Sequence, residues 1–216
     1  MTLNENNRAI KLKTHSTTYD EYTNYGEHKA AFQDHMAISS YPLQYEKKVI
    51  TRTGIEVFIR PIKKGDVSML IDLFKALSPK TIYYRFFSPL KELSHDMLTR
   101  FTQIDYHRDM ALVALDQSDS NDKILGVTRY MFNPFQLDTE FAVVVRDEYQ
   151  GKGIGRALLE NLIMIARDKN IERMSGYVLA ENIHMLSLAR QLGFSLLKIP
   201  CENQYILTID LKKITV

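Results

Sequence analysis

The chain has 216 residues, 45% of them apolar and 25% charged, with a formal net charge of +2. Such proportions belong to a globular chain with one main domain, and they provide no global field that would draw it to nucleic acid or to a membrane surface. A single cysteine, Cys201, excludes an internal disulfide and fits a reducing, cytoplasmic setting. No apolar run reaches the ~18 residues of a membrane span.

Residues 1–48 read as a polar extension, partly ordered or partner-binding, ahead of one folded domain over 49–216. The extension is poor in aliphatic residues but carries Tyr19, Tyr22, Tyr25, Tyr41 and Tyr45, whose rings favour a surface to rest on. Glu56 to Pro61 alternates as a strand that proline stops. Asp66 is placed to cap a helix whose apolar face is Val67, Leu70, Ile71, Phe74 and Leu77. Ser78-Pro79 starts a second short helix, with proline at the first helical position. Ser94 caps a third, running to about Gln103. Met110–Leu115, Ile124–Phe132 and Leu137–Arg146 read as a three-strand meander with a polar turn at Asp116–Asp122.

A helix follows from about Gly153 to Lys169, with Ile154, Leu158, Leu162, Ile165 and Ala166 on one face and Asn170 as a left-handed stop. Arg173–Leu179 is a strand, Asn182 caps a helix that ends before Gly193, and Phe194–Ile199 and Gln204–Leu211 are closing strands. The order is β, helices, βββ, α, β, α, ββ, which predicts an α/β fold (a mixed sheet flanked by helices).

The stretch between the third meander strand and the long helix carries most of the chemistry. The branched strand Val143-Val144-Val145 runs into Gln150-Gly151-Lys152-Gly153-Ile154-Gly155-Arg156, which opens directly into the helix. Glycines at alternate positions let the backbone approach a ligand without Cβ interference. The free N–H groups and the positive dipole end of the helix then favour a phosphate or pyrophosphate. Lys152 and Arg156 add charge that can neutralise it. The Walker pattern fails because Lys152 is followed by glycine without Ser or Thr, and the dinucleotide fingerprint fails because Arg156 stands where its third glycine belongs. The six histidines show no ligand spacing, so no metal is expected.

These residues resemble the GNAT acetyltransferase superfamily. Its acetyl-CoA motif, Gln/Arg-x-x-Gly-x-Gly/Ala, is matched by Gln150 to Gly155, and its Asn-x(10)-Gly-Phe element by Asn182 with Gly193-Phe194. The resemblance covers residues 54–211. It implies a central, mostly antiparallel sheet flanked by helices, with acetyl-CoA as cosubstrate and its pyrophosphate on the amides of Gln150, Gly151, Lys152, Gly153, Ile154, Gly155 and Arg156. Val143 and Val145 would offer backbone hydrogen bonds to the pantetheine arm, and Asn182 is placed to reach CoA as well as to cap its helix.

A narrower resemblance runs through Arg60-Pro61-Ile62, Leu77-Ser78-Pro79, Tyr84-Arg85-Phe86-Phe87-Ser88, Gln103-Ile104-Asp105-Tyr106 and Glu140-Phe141-Ala142-Val143-Val144-Val145. These look like the bacterial protein lysine acetyltransferases, whose known targets include acyl-CoA synthetases. Ser40-Tyr41-Pro42 and Glu46 are similar to the junction before the GNAT domain in fused members of that group. A short member and a fragment of a fused protein both fit, as do a monomer and a homodimer.

Acetyl transfer needs a neutral amine, and at pH 7 a lysine with pKa near 10.4 is neutral only about once in 2,500 times. A base is therefore required. Glu140 is the candidate: apolar neighbours partly desolvate it, which raises a carboxylate toward the working range. It lies five residues from Val145, or about 17 Å along a strand, the order of the pantetheine span. The alternative is a structural ion pair, for example with Arg129. Arg85 is a candidate on the acceptor side. One departure concerns the tyrosine that many members carry seven residues after the capping asparagine, to protonate the leaving thiolate. Ala189 stands there, leaving water or Ser187 for that step. Rival functions are a small-molecule amine N-acetyltransferase and a non-catalytic acyl-CoA-sensing domain on the same fold.

Overall fold

The computed structural model describes residues 40–118, 122–133 and 138–212. The tyrosines at 19, 22 and 25, most of the N-terminal extension and the tip of the Asp116–Asp122 turn lie outside them. Eight strands form one sheet in the order β1-β2-β3-β4-β5-β6-β8-β7. They are β1 (Lys47–Ile50), β2 (Glu56–Pro61), β3 (Met110–Asp116), β4 (Lys123–Asn133), β5 (Asp138–Val145), β6 (Arg173–Leu179), β7 (Ser195–Lys198) and β8 (Gln204–Asp210). All neighbours run antiparallel except β5 and β6. Helices α1 (Val67–Lys75), α2 (Pro79–Phe86), α3 (His95–Thr102), α4 (Ile154–Asp168) and α5 (Ile183–Gln191) flank it.

β1 has no counterpart among the expected elements, and it draws the sheet back to Lys47. It is an edge strand whose residues are exposed apart from the half-buried Val49, so it lacks the apolar pattern that identifies an inner strand. Tyr41 also belongs to this body. Its hydroxyl donates to the Glu46 carboxylate at 2.6 Å, and its ring meets Tyr106 edge-on at 6.2 Å.

The sheet separates two apolar layers, and β3 is buried on both faces as strand alternation requires. Met110, Leu112 and Ala114 pack with Leu158, Leu159 and Leu162 of α4, while Ala111, Val113 and Leu115 pack with Leu70, Leu73 and Phe74 of α1. The five residues expected on the apolar face of α4 are all buried.

Most helix ends follow the expected chemistry. Ser78, Ser94 and Asn182 each accept a hydrogen bond at 3.2 Å from the amide three residues on, and Asn170 is left-handed with φ 56°. Asp66 is the exception: it occupies the N-cap position of α1 but caps no amide of that helix. Its carboxylate instead takes both arms of the Arg60 guanidinium, at 2.7 and 2.8 Å, and the Lys63 N–H at 2.7 Å. Arg60 is 5% exposed, and a buried guanidinium without a counterion costs more than an open helix end.

Candidate active site

β5 and β6 part company in the middle of the sheet. Their parallel pairing is confined to Thr139 with Met174 and Glu140 with Ser175. Beyond that point β5 stays on β4 as far as Val145, and β6 stays on β8 as far as Leu179, so a wedge opens between the two arms. Backbone alternation decides which groups line it. The Ala142 carbonyl accepts from Thr128 on β4 at 3.0 Å, and the Val144 carbonyl lies against Gly126, also on β4. Hence the polar backbone groups of Phe141, Val143 and Val145 turn the other way, into the wedge. The Val145 carbonyl already accepts from the Gln150 side-chain amide at 3.1 Å.

The glycine turn stands at the wide end of the wedge. Gly151 and Gly153 adopt φ 73° and 83°, a conformation that side chains rarely take, and Gly153 is the N-cap of α4. Space around Gly151 is open, whereas Gly153 rests on Thr51 of the β1–β2 hairpin, with 3.1 Å between its Cβ position and Thr51 Cβ. From the same hairpin Thr53 Oγ1 donates to the Lys152 carbonyl at 2.8 Å. The turn is therefore held from behind while the first amides of α4 face outward.

The side chains of the turn do less than their charges suggest. Arg156 lies along α4, paired with Glu160 at 3.3 Å and donating to Gln191. Lys152 is exposed, its ammonium 5.0 Å from the Tyr149 ring centroid. Ile154 is fully buried, so only its backbone is available to a ligand.

Helix α2 is docked to both arms of the wedge. Asp147, at the foot of the glycine turn, accepts from the Ser78 amide at 2.9 Å, the Ser78 hydroxyl at 2.7 Å and the Thr81 hydroxyl at 2.8 Å. Partial burial works against the charge of Asp147, yet these hydrogen bonds outweigh it and hold the carboxyl below the usual carboxylate range. Gln150 completes the link by donating to Thr81 Oγ1 at 3.2 Å. Further along α2, the Tyr84 hydroxyl donates to the Glu181 carbonyl at 3.2 Å, beside Asn182 on the opposite arm. Sequence patterns do not reveal this network, because its members lie 66 to 97 residues apart.

Glu140 is half-buried at the narrow end of the wedge. By alternation its side chain shares a face of β5 with Ala142 and Val144, the face covered by α1 to α3. There a small pocket is bounded by Ala142, Val144, Phe86, Phe101 and the two arginines Arg85 and Arg129. Arg129 stacks on Phe101 at 4.3 Å and Arg85 on Phe86 at 5.0 Å. Ala189 is fully buried in the opposite layer, and Ser187 is exposed on α5, where it accepts from Gln191. Among the described residues no group of His, Cys, Asp or Glu is arranged to hold a metal ion, and no helix is long and apolar enough to cross a membrane.

The profile of the Acetyltransferase (GNAT) family matches residues 78–194, more than half of the chain. The chain belongs to the GNAT acetyltransferase family. This GNAT protein is 35% identical to an acetyltransferase of Pseudomonas aeruginosa over 141 residues, 65% of this chain and 76% of that relative. It is 28% identical over 146 residues to the acetyltransferase Pat of Mycolicibacterium smegmatis, covering 67% of this chain but only 43% of that relative's length. Among solved structures, the GNAT domain of S. lividans PAT superposes with a TM-score of 0.72 at 29% identity, over 79% of this chain and 99% of that one. The open, mostly antiparallel sheet with its split between β5 and β6 is thus a GNAT fold, and the chain is an acetyltransferase.

Proposed function

We propose that this GNAT enzyme moves the acetyl group of acetyl-CoA to a lysine ε-amine of a protein, with Glu140 as general base. The observation that carries the reading is the position of Glu140. It sits where β5 and β6 separate, about 17 Å along the strand from Val145 and on the face that holds the Arg85 pocket. In this reading the pyrophosphate rests on the amides of Gly151 to Gly155, and the pantetheine arm runs down the wedge along Val145 and Val143. The thioester then arrives near Phe141 and Ala142, beside the carboxylate.

Glu140 takes one proton from the bound lysine ammonium, directly or through one water, and the neutral nitrogen attacks the thioester carbonyl. The tetrahedral intermediate collapses, the carbon–sulfur bond breaks, the nitrogen gives its second proton to solvent, and CoA leaves as a thiolate that solvent protonates, since Ala189 offers no donor. General-base assistance of this kind contributes about 10²- to 10⁴-fold. The likeness to Pat and to the S. lividans PAT domain supports a protein acceptor, and the family resemblance points to an acyl-CoA synthetase as its class.

The test is incubation with labelled acetyl-CoA, a purified acyl-CoA synthetase and a panel of small amines. Label on one synthetase lysine is the expected result. Label confined to small amines would make the protein a small-molecule acetyltransferase, and acetyl-CoA binding without any transfer would make it a sensor.

A further inference from the structure

Arg85 is the cation on the acceptor face that the mechanism leaves unused. It is half-buried on α2, stacks on Phe86 at 5.0 Å, and its guanidinium makes no hydrogen bond or ion pair among the described residues. The group cannot shed its charge to suit an apolar wall, because a guanidinium stays protonated in proteins. A second guanidinium, that of Arg129, bounds the same pocket and is 5% exposed. Ala142, which pairs with Arg129 across the strands, forms part of the floor, and Glu140 lies two residues up the same face. The Arg85 guanidinium therefore stands as a fixed charge against phenylalanine and valine walls. Such a group favours a planar oxyanion, which the fork of a guanidinium matches in shape as well as charge.

We infer that Arg85 forms an anion subsite that seats a carboxylate of the acceptor while the acceptor amine lies toward Glu140. The inference rests on the reading of this face as the acceptor side. The carboxylate comes from one of two sources: the acceptor's own, in a free amino acid, or an acidic side chain next to the acceptor lysine of a protein.

Two matched pairs separate these sources. L-lysine and 1,5-diaminopentane differ only in the carboxylate, as do a lysine peptide with a neighbouring glutamate and the same peptide with glutamine. The wild-type enzyme is expected to favour the carboxylate member of one pair by about tenfold or more in kcat/KM, the scale of one charge-assisted hydrogen bond. The pair that responds identifies the source. Arg85→Gln should erase the preference and leave acetyl-CoA binding unchanged, and Arg85→Lys should keep part of it. Equal rates within both pairs, or a preference that survives in Arg85→Gln, would overturn the inference. The same four compounds, titrated as ligands into protein saturated with CoA, read the subsite without turnover. If no transfer occurs but carboxylate-selective binding is lost in Arg85→Gln, the proposed activity fails and the subsite stands. If acid and counterpart bind equally, the subsite fails.

Discussion

Gly176 and Phe141 meet at the point where the two arms of the wedge separate: a Cβ on Gly176 would lie 2.8 Å from the Phe141 ring and 3.0 Å from its carbonyl oxygen. Phe141 cannot retreat, because its ring is buried and packs on Phe194 at 4.9 Å. Gly176→Ala is therefore expected to destabilise the fold by about 1–3 kcal/mol, the usual range for overpacking a core. The midpoint of urea unfolding reads it. An unchanged midpoint would show that the arms can spread without cost.

The two glycines of the turn should respond differently to alanine. At Gly153 the methyl group meets Thr51 Cβ at 3.1 Å and the backbone is left-handed, so packing and conformation both oppose it. At Gly151 nothing lies within 4 Å, and only the left-handed backbone opposes it, at about 1–2 kcal/mol. Gly153→Ala is expected to destabilise the fold more than Gly151→Ala, the difference being the cost of crowding Thr51. The midpoints of urea unfolding compare them directly.

The Arg60–Asp66 pair should be the most sensitive ionic contact in the domain. Both side chains are almost wholly buried, and each satisfies the other through two hydrogen bonds. Removing one partner leaves a charge in the core, so Asp66→Asn is expected to cost about 3–5 kcal/mol. The exposed pair Lys48–Glu56 is the control, where Glu56→Gln should cost less than about 1 kcal/mol. Thermal unfolding of the two variants side by side makes the comparison.

Asp66 also illustrates what sequence can and cannot disclose. A carboxylate ahead of an apolar-periodic run reads as a helix cap, and local pattern carries no trace of the buried arginine six residues earlier that claims it. Ser78, Ser94 and Asn182 have no such competitor, and each caps as local chemistry dictates. The glycine turn was legible for the same reason, since its geometry is written in consecutive residues. Its supports were not, because Thr51, Thr53, Ser78 and Thr81 reach it through contacts distant in the chain. Nor was β1, whose mostly exposed edge leaves no apolar alternation to read.

The link between Asp147 and α2 predicts a pH dependence. Hydrogen bonds from Ser78 and Thr81 hold the folded carboxyl below the value near 3.9 that it has unfolded. A group depressed in this way contributes stability that is present above the unfolded pKa and is lost as pH falls through the folded one. The stability advantage of wild type over Asp147→Asn should therefore be constant from neutral pH down to about pH 4–5 and shrink below it. Ser78→Ala removes the cap and the hydroxyl contact to Asp147 but keeps the amide contact, and should cost about 1 kcal/mol on the cap alone. Denaturant melts across pH check both expectations; an advantage that grows on acidification would rule the link out.

Glu140→Gln is the sharpest probe of the chemical step. Glutamine keeps the shape and a hydrogen-bonding carbonyl but cannot take a proton from the amine. If Glu140 is the base, kcat should fall by about 10²- to 10⁴-fold with acetyl-CoA affinity little changed. The residual rate should then depend on amine that is already neutral in solution. Below a lysine pKa near 10.4 that fraction rises about tenfold per pH unit, so log kcat/KM of the variant should climb with a slope near one. Wild type should not show that slope throughout, because an enzyme-held base removes the proton after binding. Initial rates of CoA release across pH, for both proteins and the same acceptor, provide the measurement. Near-normal turnover in the variant at neutral pH would remove Glu140 from the mechanism and leave its carboxylate a structural role on β5.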